Sequence, residues 1–389
     1  MSSSVKYFSI YNLGCRVNAA ESNLFAQKLI NDGYVPINLS RDVINHDSTI
    51  NNNPNLIFIN TCSVTKKANV ESLGLIRRLQ KKYPLAKIII SGCASLKNLK
   101  INKNIQIISN SEKEKKLNKL NSLYYHQIKD KFSHTNRFLL KVQSGCTYFC
   151  TYCTVPYTRP YLWSLPINDA VNTVNKVVED GYKEIIITGV NLDQYTPGFS
   201  DLVEALLTKT SVPLISFGSI PINCIDEKFV SLVSSFPSRV SPFLHIPIQS
   251  GSDQILKLMH RNYTKKIILE KFTLLKKSNI GNNSVNKTSP PPFSNKGSGS
   301  DLKFGTDIIV GFPGETDFDF QETYDLCQQI GFSKIHVFKY SPRPGTAARE
   351  LFLKSDKISK DIINFRSKKL RQLISQTKPP SHQKPDKKN

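Results

Sequence analysis

A chain of 389 residues with 39% hydrophobic and 21% charged residues has the composition of a folded protein, and at about 100–200 residues per domain it predicts two or three units. No stretch approaches the roughly 18 apolar residues of a membrane span, and no apolar signal core follows Met1, which excludes an integral membrane protein and leaves a cytoplasmic location as the expectation. The 53 Lys and Arg against 30 Asp and Glu give a net charge of +23, an excess that points to a polyanionic partner, nucleic acid above all.

In chain order, Tyr7–Leu13, Leu56–Asn60 and Lys87–Ser91 are short apolar runs, each followed within two residues by a Cys. Ala19–Asn31 and Lys66–Lys82 between them have helical spacing. Strands alternating with helices predict a doubly wound parallel sheet with helices on its faces, over residues 1–96. Residues 97–134 are polar and Lys-rich, with one weak strand at Ile105–Ile108, and read as a basic linker. Over 135–350 the alternation resumes. Six strands are predicted at Phe138–Val142, Glu184–Gly189, Leu214–Gly218, Phe243–Ile248, Thr306–Gly311 and Lys334–Tyr340. Helices are expected at Ile167–Gly181, Leu202–Lys209, Asp226–Ser235, Lys265–Lys277 and Phe318–Ile330. Six βα units in about 200 residues suit a partial barrel better than a closed eight-unit one.

Residues 281–299, rich in Asn, Ser, Pro and Gly, interrupt the pattern and are expected to be a disordered insertion. A basic helix is expected within 351–376 and a disordered tail over 377–389. Lys354–Asn389 alone holds 11 basic and 3 acidic residues, a net of +8.

Six of the eight cysteines form two sets. Cys146, Cys150 and Cys153 lie within eight residues, directly after the first strand of the second domain. Three thiolates on one loop can grip three corners of an iron–sulfur cubane and leave one iron open, since a cluster fully held by protein takes four cysteines. A zinc site with water as fourth ligand is the rival reading. Cys15, Cys62 and Cys93 are dispersed, but each sits just past a predicted strand end, so a parallel sheet would bring them to one edge. Either a metal site or three buried structural cysteines fits that placement, and Gly14 and Gly92 would let the backbone approach a bulky group. Cys224 and Cys327 stand alone and read as structural.

These motifs resemble a known family. The Cys146-x-x-x-Cys150-x-Tyr152-Cys153 loop on six βα units is similar to the signature of radical S-adenosylmethionine (SAM) enzymes. Leu13-Gly-Cys15-Arg-Val-Asn18-x-x-Glu21-Ser22, Asn60-Thr-Cys62 and Ser91-Gly-Cys93 resemble the N-terminal domain of the methylthiotransferase branch. Tyr182–Leu192, His245–Asp253, Gly305–Thr316 and His336–Thr346 are similar to that branch as well. Thr188-Gly-Val-Asn-Leu192 and His336–Thr346 look most like the subgroup acting on tRNA threonylcarbamoyladenosine, while the isopentenyladenosine and ribosomal-protein subgroups fit less well.

The resemblance implies two [4Fe–4S] clusters, one on Cys146, Cys150 and Cys153 and one on Cys15, Cys62 and Cys93. It implies SAM, contacted by Tyr152 and the Gln249-Ser250-Gly251 turn, with Gly189 and Gly311 ending strands at the active edge. The implied reaction is methylthiolation at C2 of the adenine next to the anticodon. Its implied partners are the tRNA anticodon loop and a one-electron reductant of flavodoxin or ferredoxin type. The alternatives are action on isopentenyladenosine, or an inactive iron–sulfur relative that binds RNA or transfers electrons. The family pattern departs after Arg159, where Pro160–Pro166 replaces an Arg-rich run, and at Ser219-Ile-Pro221, where a Glu is usual. The sequence also lacks a match to the family's C-terminal RNA-binding TRAM domain, so Arg366, Lys368, Lys369 and Arg371 are expected to grip the RNA backbone in its place.

Overall fold

A computed structural model describes residues 5–38, 53–62, 66–96, 99–118, 137–280 and 302–376. The insertion and the tail expected to be disordered lie outside the described residues. The chain divides into two compact units, one drawn from Met1–Phe149, Cys153–Gly218 and Ser235–Ser241, the other from Cys150–Tyr152, Ser219–Ser234 and Pro242–Asn389.

The first unit begins with β1 (Lys6–Asn12), α1 (Arg16–Asn31), β2 (Tyr34–Asn38), β3 (Leu56–Thr61), α2 (Lys66–Lys82), β4 (Lys87–Gly92), β5 (Ile105–Ile107) and α3 (Asn110–Asn118). The strands form an all-parallel sheet in the order β2-β1-β3-β4-β5. Central β3 is buried along its whole length, which is why it reads as a continuous apolar run rather than an alternating one. Ile57 and Ile59 pack with Leu75, Ile76 and Leu79 of α2. Phe58, pointing the other way, stacks on Phe25 of α1 at 4.1 Å. Helices thus cover both faces, as expected. The basic connection contributes more than a linker: β5 adds the sheet's last strand, and α3 brings Lys113 and Glu114 into a buried position.

The same unit carries β6 (Arg137–Ser144), α4 (Val155–Thr158), β7 (Trp163–Ser164), α5 (Ile167–Glu179), β8 (Glu184–Gly189), α6 (Phe199–Lys209) and β9 (Leu214–Phe217). Their sheet order is β7-β6-β8-β9, parallel except for the two-residue β7. Arg239 closes this part from below, donating to the carbonyls of Leu207, Thr210 and Val212 at 2.5–3.1 Å.

The second unit contains most of α7 (Glu227–Ser235), then β10 (Phe243–His245), α8 (Asp253–Leu258), α9 (Lys265–Ile280), β11 (Lys303–Val310), α10 (Asp317–Ile330), β12 (Lys334–Lys339), α11 (Ala347–Lys354) and α12 (Lys360–Gln376). Its sheet is β10-β11-β12, all parallel. The six expected strands are therefore present as two parallel sets of three. Strand β10 stops three residues short of its predicted end because Pro247 has no N–H to continue the ladder. On one face of β11, Phe304 meets Phe272 of α9 at 5.1 Å. Helix α10 starts with a reciprocal capping box between Thr316 and Asp319 and ends on the left-handed Gly331.

Candidate active site

Strands β1, β3 and β4 are neighbours, with Asn12 in register with Asn60 and Asn60 with Ser91. Cys15, Cys62 and Cys93 therefore leave the same C-terminal edge, two or three residues past one register line. Cys15 is the N-cap of α1. Cys62 is buried, and its backbone N–H donates to Ser72 Oγ at 3.3 Å. The Cys93 N–H donates to the carbonyl of Thr61 at 3.1 Å. Asn18 and Asn60 lock the edge together: Asn18 Nδ2 donates to Asn60 Oδ1 and to the Thr61 carbonyl, both at 3.0 Å, and Asn60 Nδ2 returns a bond to the Asn18 carbonyl at 2.9 Å. The glycines have a different reason from the one expected. A Cβ on Gly92, at φ +107, would meet the Thr61 carbonyl oxygen at 2.3 Å, and one on Gly14 would meet Asn18. The close approach is to these neighbouring residues of the chain, which accounts for both glycines without a bulky ligand.

The second cysteine loop begins where β6 ends. Asn191 Nδ2 donates to Cys146 Sγ at 3.6 Å, and the Val155 N–H donates to Cys153 Sγ at 3.4 Å. Cys150 and Tyr152 belong to the second unit. There Arg261 Nη1 donates to Cys150 Sγ at 3.1 Å. Burial opposes the Arg261 charge, yet Tyr263, Tyr152 and Cys150 hold its pKa above the ordinary value. Among the described residues, the non-glycine positions with positive φ are Phe149 (47°), Gln249 (66°) and His260 (58°). Two of them directly precede Cys150 and the arginine that holds it. Such conformations cost about 1–3 kcal/mol each and cluster at functional sites.

Sequence reasoning missed the most heavily charged part of the first unit. Glu21 of α1 is wholly buried and surrounded by three cations. Arg159 grips both its oxygens at 2.7 and 2.9 Å, Lys113 reaches Oε2 at 2.6 Å, and Lys141 reaches Oε1 at 2.9 Å. Glu114 shares Arg159 at 2.9 Å and Lys141 at 3.4 Å, and accepts from Ser144 Oγ. Three cations against two carboxylates leave a buried excess of one positive charge. Burial alone would raise the Glu21 pKa, but Arg159, Lys113 and Lys141 hold it well below the ordinary carboxylate value. Burial pushes Lys113 down to about 8 despite Glu21. Arg159 stays far above its ordinary value against burial, through Glu21 first and then Cys93 and Glu114.

The network touches both cysteine sets. The Arg159 carbonyl accepts from the Cys146 N–H at 3.3 Å, while its guanidinium donates to Asn18, whose Oδ1 also accepts from Cys15 Sγ. Asn110 Nδ2 lies 3.9 Å from Cys93 Sγ and 3.1 Å from the carbonyl of Thr158.

The remaining expected contacts divide. Tyr152 packs against the core of Ile255, Met259, Ile309, Phe312 and Ala348, and Gln249 pairs with β11 through its backbone. Ser250 and Gly251 are buried against α10, both bonded to Thr323 Oγ1, so the structure gives them packing roles. Gly189 closes on Leu192 and Gln143, and Gly311, at φ +72, on Ile363. The expectation for Arg366 is corrected: it is 3% exposed, with Nη1 at 2.6 Å from Glu315 and Nη2 at 2.8 Å from Asp317. It clamps α12 to the start of α10 and does not face solvent. Lys369 lies over the Tyr324 ring at 4.4 Å, while Lys368 and Arg371 are exposed.

Comparisons with known proteins converge on these elements. The radical SAM superfamily profile matches residues 140–292, and that of uncharacterized protein family UPF0004 matches 7–110. The threonylcarbamoyladenosine tRNA methylthiotransferase MtaB of Thermotoga maritima is 32% identical over 372 residues, covering 89% of this chain and 77% of that protein. The chain belongs to the radical SAM methylthiotransferase family. The MtaB of Chlamydia pneumoniae is 31% identical, covering 94% of this chain and 81% of that one. The tRNA-2-methylthio-N(6)-dimethylallyladenosine synthase of Bdellovibrio bacteriovorus is 27% identical, covering 94% and 79%. Among solved structures, the radical SAM methyltransferase TsrM of Kitasatospora setae shares the fold, with a TM-score of 0.60 at 13% identity, covering 89% of this chain and 77% of that one.

Membership implies a [4Fe–4S] cluster and SAM, and the donor set fits. All six cysteines are free thiols, four of them accept an N–H from Asn110, Asn191, Val155 or Arg261, and N–H bonds to sulfur are among the means by which proteins tune such clusters. Among the described residues no three cysteine sulfurs lie within 4.8 Å of one another. A single tetrahedral zinc would hold its sulfurs about 3.8 Å apart at Zn–S distances of about 2.3 Å, so the Cys15, Cys62 and Cys93 edge does not have that spacing. No described helix is long and apolar enough to cross a membrane.

Proposed function

We propose that this protein methylthiolates tRNA threonylcarbamoyladenosine at C2 of the adenine beside the anticodon, with two clusters held by the two cysteine sets. The observation that carries the reading is the pairing of a three-cysteine loop after β6 with a second set of three at one sheet edge, in a chain 32% identical to an MtaB. The C2 hydrogen is not acidic, so no general base can remove it. When bound, the clusters and SAM would supply a carbon radical to abstract that hydrogen and a methylated sulfur to replace it.

The chain's own residues hold and orient. Arg261, Asn191 and the Val155 N–H donate to the sulfurs of the Cys146–Cys153 loop and orient them. Tyr152 and the turn at Gln249 are the proposed contacts to SAM, and the buried Ser250, Gly251 and Gly311 shape their support. Asn18, Asn60 and Asn110 fix the edge that carries the other three cysteines. The net charge of +23 suits a tRNA, whose anticodon-loop bases can be splayed out for a side-chain pocket.

Anaerobic reconstitution tests the site assignment. About eight irons per chain are expected, and replacing either cysteine trio with Ala should leave about half. Mass spectrometry of tRNA nucleosides, with and without the protein, tests the substrate: the 2-methylthio derivative of threonylcarbamoyladenosine is expected. The methylthio derivative of isopentenyladenosine in its place would reassign the substrate, and no methylthio nucleoside at all would refute the reading.

A further inference from the structure

Three side chains from adjacent strands of the second unit converge without any cysteine among them. His245 ends β10, Asp307 lies in β11, and His336 lies in β12 directly opposite Asp307 in the register. His245 Nε2 lies 3.0 Å from Asp307 Oδ1, and His336 Nδ1 lies 3.1 Å from the same oxygen. All three ligand atoms fall within 4.8 Å of one another. The imidazole rings are tilted by 40° with centroids 5.3 Å apart. Exposure of the side chains grades from 10% at His245 through 23% at Asp307 to 44% at His336, so the group is anchored at one end and open at the other.

We propose that His245, Asp307 and His336 bind one divalent transition-metal ion, of the Zn²⁺ or Fe²⁺ class. Two imidazoles and one carboxylate are the donor set of open mononuclear sites, in which protein supplies three ligands and leaves a position free. Strand geometry makes the set rigid, because each ligand comes from a separate, hydrogen-bonded strand rather than from a loop. The face that carries it is defined by alternation along β11. Phe304 points to Phe272 of α9, so Asp307 projects from the opposite face. Ile309, two residues on and about 7 Å along the strand, shares that face and packs in the cluster that supports Tyr152. The open coordination position is therefore on the side of the sheet where Tyr152 sits. A metal here would take an oxygen-donor ligand, carboxylate or carbonyl, at its open position.

The ordinary alternative is a hydrogen-bonded His–Asp–His triad with no metal, and experiment separates the two. The full chain is loaded with iron and sulfide anaerobically, so that the cysteines are occupied, then freed of loose metal and titrated with Zn²⁺. One zinc per chain should be retained through gel filtration, and X-ray absorption at the zinc edge should show a nitrogen and oxygen shell at about 2.0–2.1 Å. His336→Asn and Asp307→Asn should each weaken zinc binding at least tenfold while leaving iron content and circular dichroism unchanged. His336 is the more exposed, so its substitution keeps the test available if Asp307→Asn fails to fold. No zinc retained by the loaded chain overturns the site. Zinc bound by His336→Asn as tightly as by the parent chain overturns it equally, as does a sulfur shell at about 2.3 Å, which would put the metal on cysteine.

Discussion

Replacing Arg159 by Gln removes five polar contacts of the buried network at once. They are 2.7 and 2.9 Å to Glu21, 2.9 Å to Glu114, 3.1 Å to Ser144 and 3.2 Å to Asn18. Taking one partner from a buried ion pair costs about 3–5 kcal/mol, because the other charge stays buried with less compensation. Lys113 and Lys141 remain on Glu21, so the low end, about 3 kcal/mol, is expected for Arg159→Gln. Glu21→Gln should cost more, since it leaves three cations facing Glu114 alone. The chain's single tryptophan, Trp163, lies beneath Lys141 Nζ at 5.4 Å from its ring centre, so urea unfolding of the reduced, iron-free chain followed by Trp163 fluorescence reads the region directly.

The pH profile supplies a second readout. Glu21 titrates in the folded chain well below its ordinary value of 4.5, so its contribution is present above that value and is lost as pH falls through the folded pKa. With Arg159 gone the depression is smaller, and the acid loss should begin at higher pH. Lys113 behaves oppositely at the alkaline end. Its folded value of about 8 lies below the ordinary lysine value of 10.5, so the unfolded chain binds more protons between them. Stability should rise with pH across that window, by about 3 kcal/mol at 1.36 kcal/mol per unit. Arg159 is one of the groups that lowers Lys113, so the rise should shrink in Arg159→Gln. A destabilisation below about 1 kcal/mol, the range of an exposed pair, together with an unchanged pH profile would refute the network's role.

Three further outcomes follow from the placement of cations and thiols. Arg366→Ala should destabilise the second unit by about 3 kcal/mol through the lost Glu315 pair yet leave the salt dependence of tRNA binding unchanged. The double change Lys368→Ala with Arg371→Ala should reduce the slope of log K against log salt by about 1.4–1.8, at about 0.7–0.9 per phosphate, and an unchanged slope would remove these residues from the RNA contact. In the folded iron-free chain at pH 8, Cys15 should alkylate readily. Cys224 and Cys327 should resist, since both are buried and burial pushes the Cys327 thiol up to about 12; modification of either while the fold persists would contradict their structural role.

What the sequence disclosed, it disclosed through periodicity and local spacing. Strands such as Leu56–Thr61 and Lys87–Gly92 were legible because burial on both faces demands unbroken apolar runs. The cysteine loop was legible because its three cysteines lie within eight residues. Short or edge elements were not. Trp163–Ser164 is two residues long, and Tyr34–Asn38 carries Pro36 at the sheet edge. The charged core was hidden for a different reason. Glu21 and Arg159 are 138 residues apart, and in the sequence Lys113 and Glu114 look like one more polar stretch of a basic connection. Arg366 misled in the same way, because a basic residue on a helix reads as solvated until its partners, 49 and 51 residues upstream, are brought beside it.

The hidden core bears directly on how the two cysteine sets are related. A buried ion pair is a weak source of net stability, and apolar residues of similar volume often do as well. Its better-attested use is to specify one arrangement, and the bonds here specify a particular one. Arg159 fixes Cys146 by its backbone and the Asn18 beside Cys15 by its side chain. Asn110 meets Cys93 and Thr158 through one amide. Slippage of α1 or α3 against β6 would strand at least one buried charge, so alternative packings carry a large penalty. If one set carries the sulfur and the other the radical chemistry, as proposed above, a misplacement on the order of 1 Å would be costly. An apolar core of equal stability could slide, whereas here each of the five charges touches at least one of opposite sign in the observed arrangement.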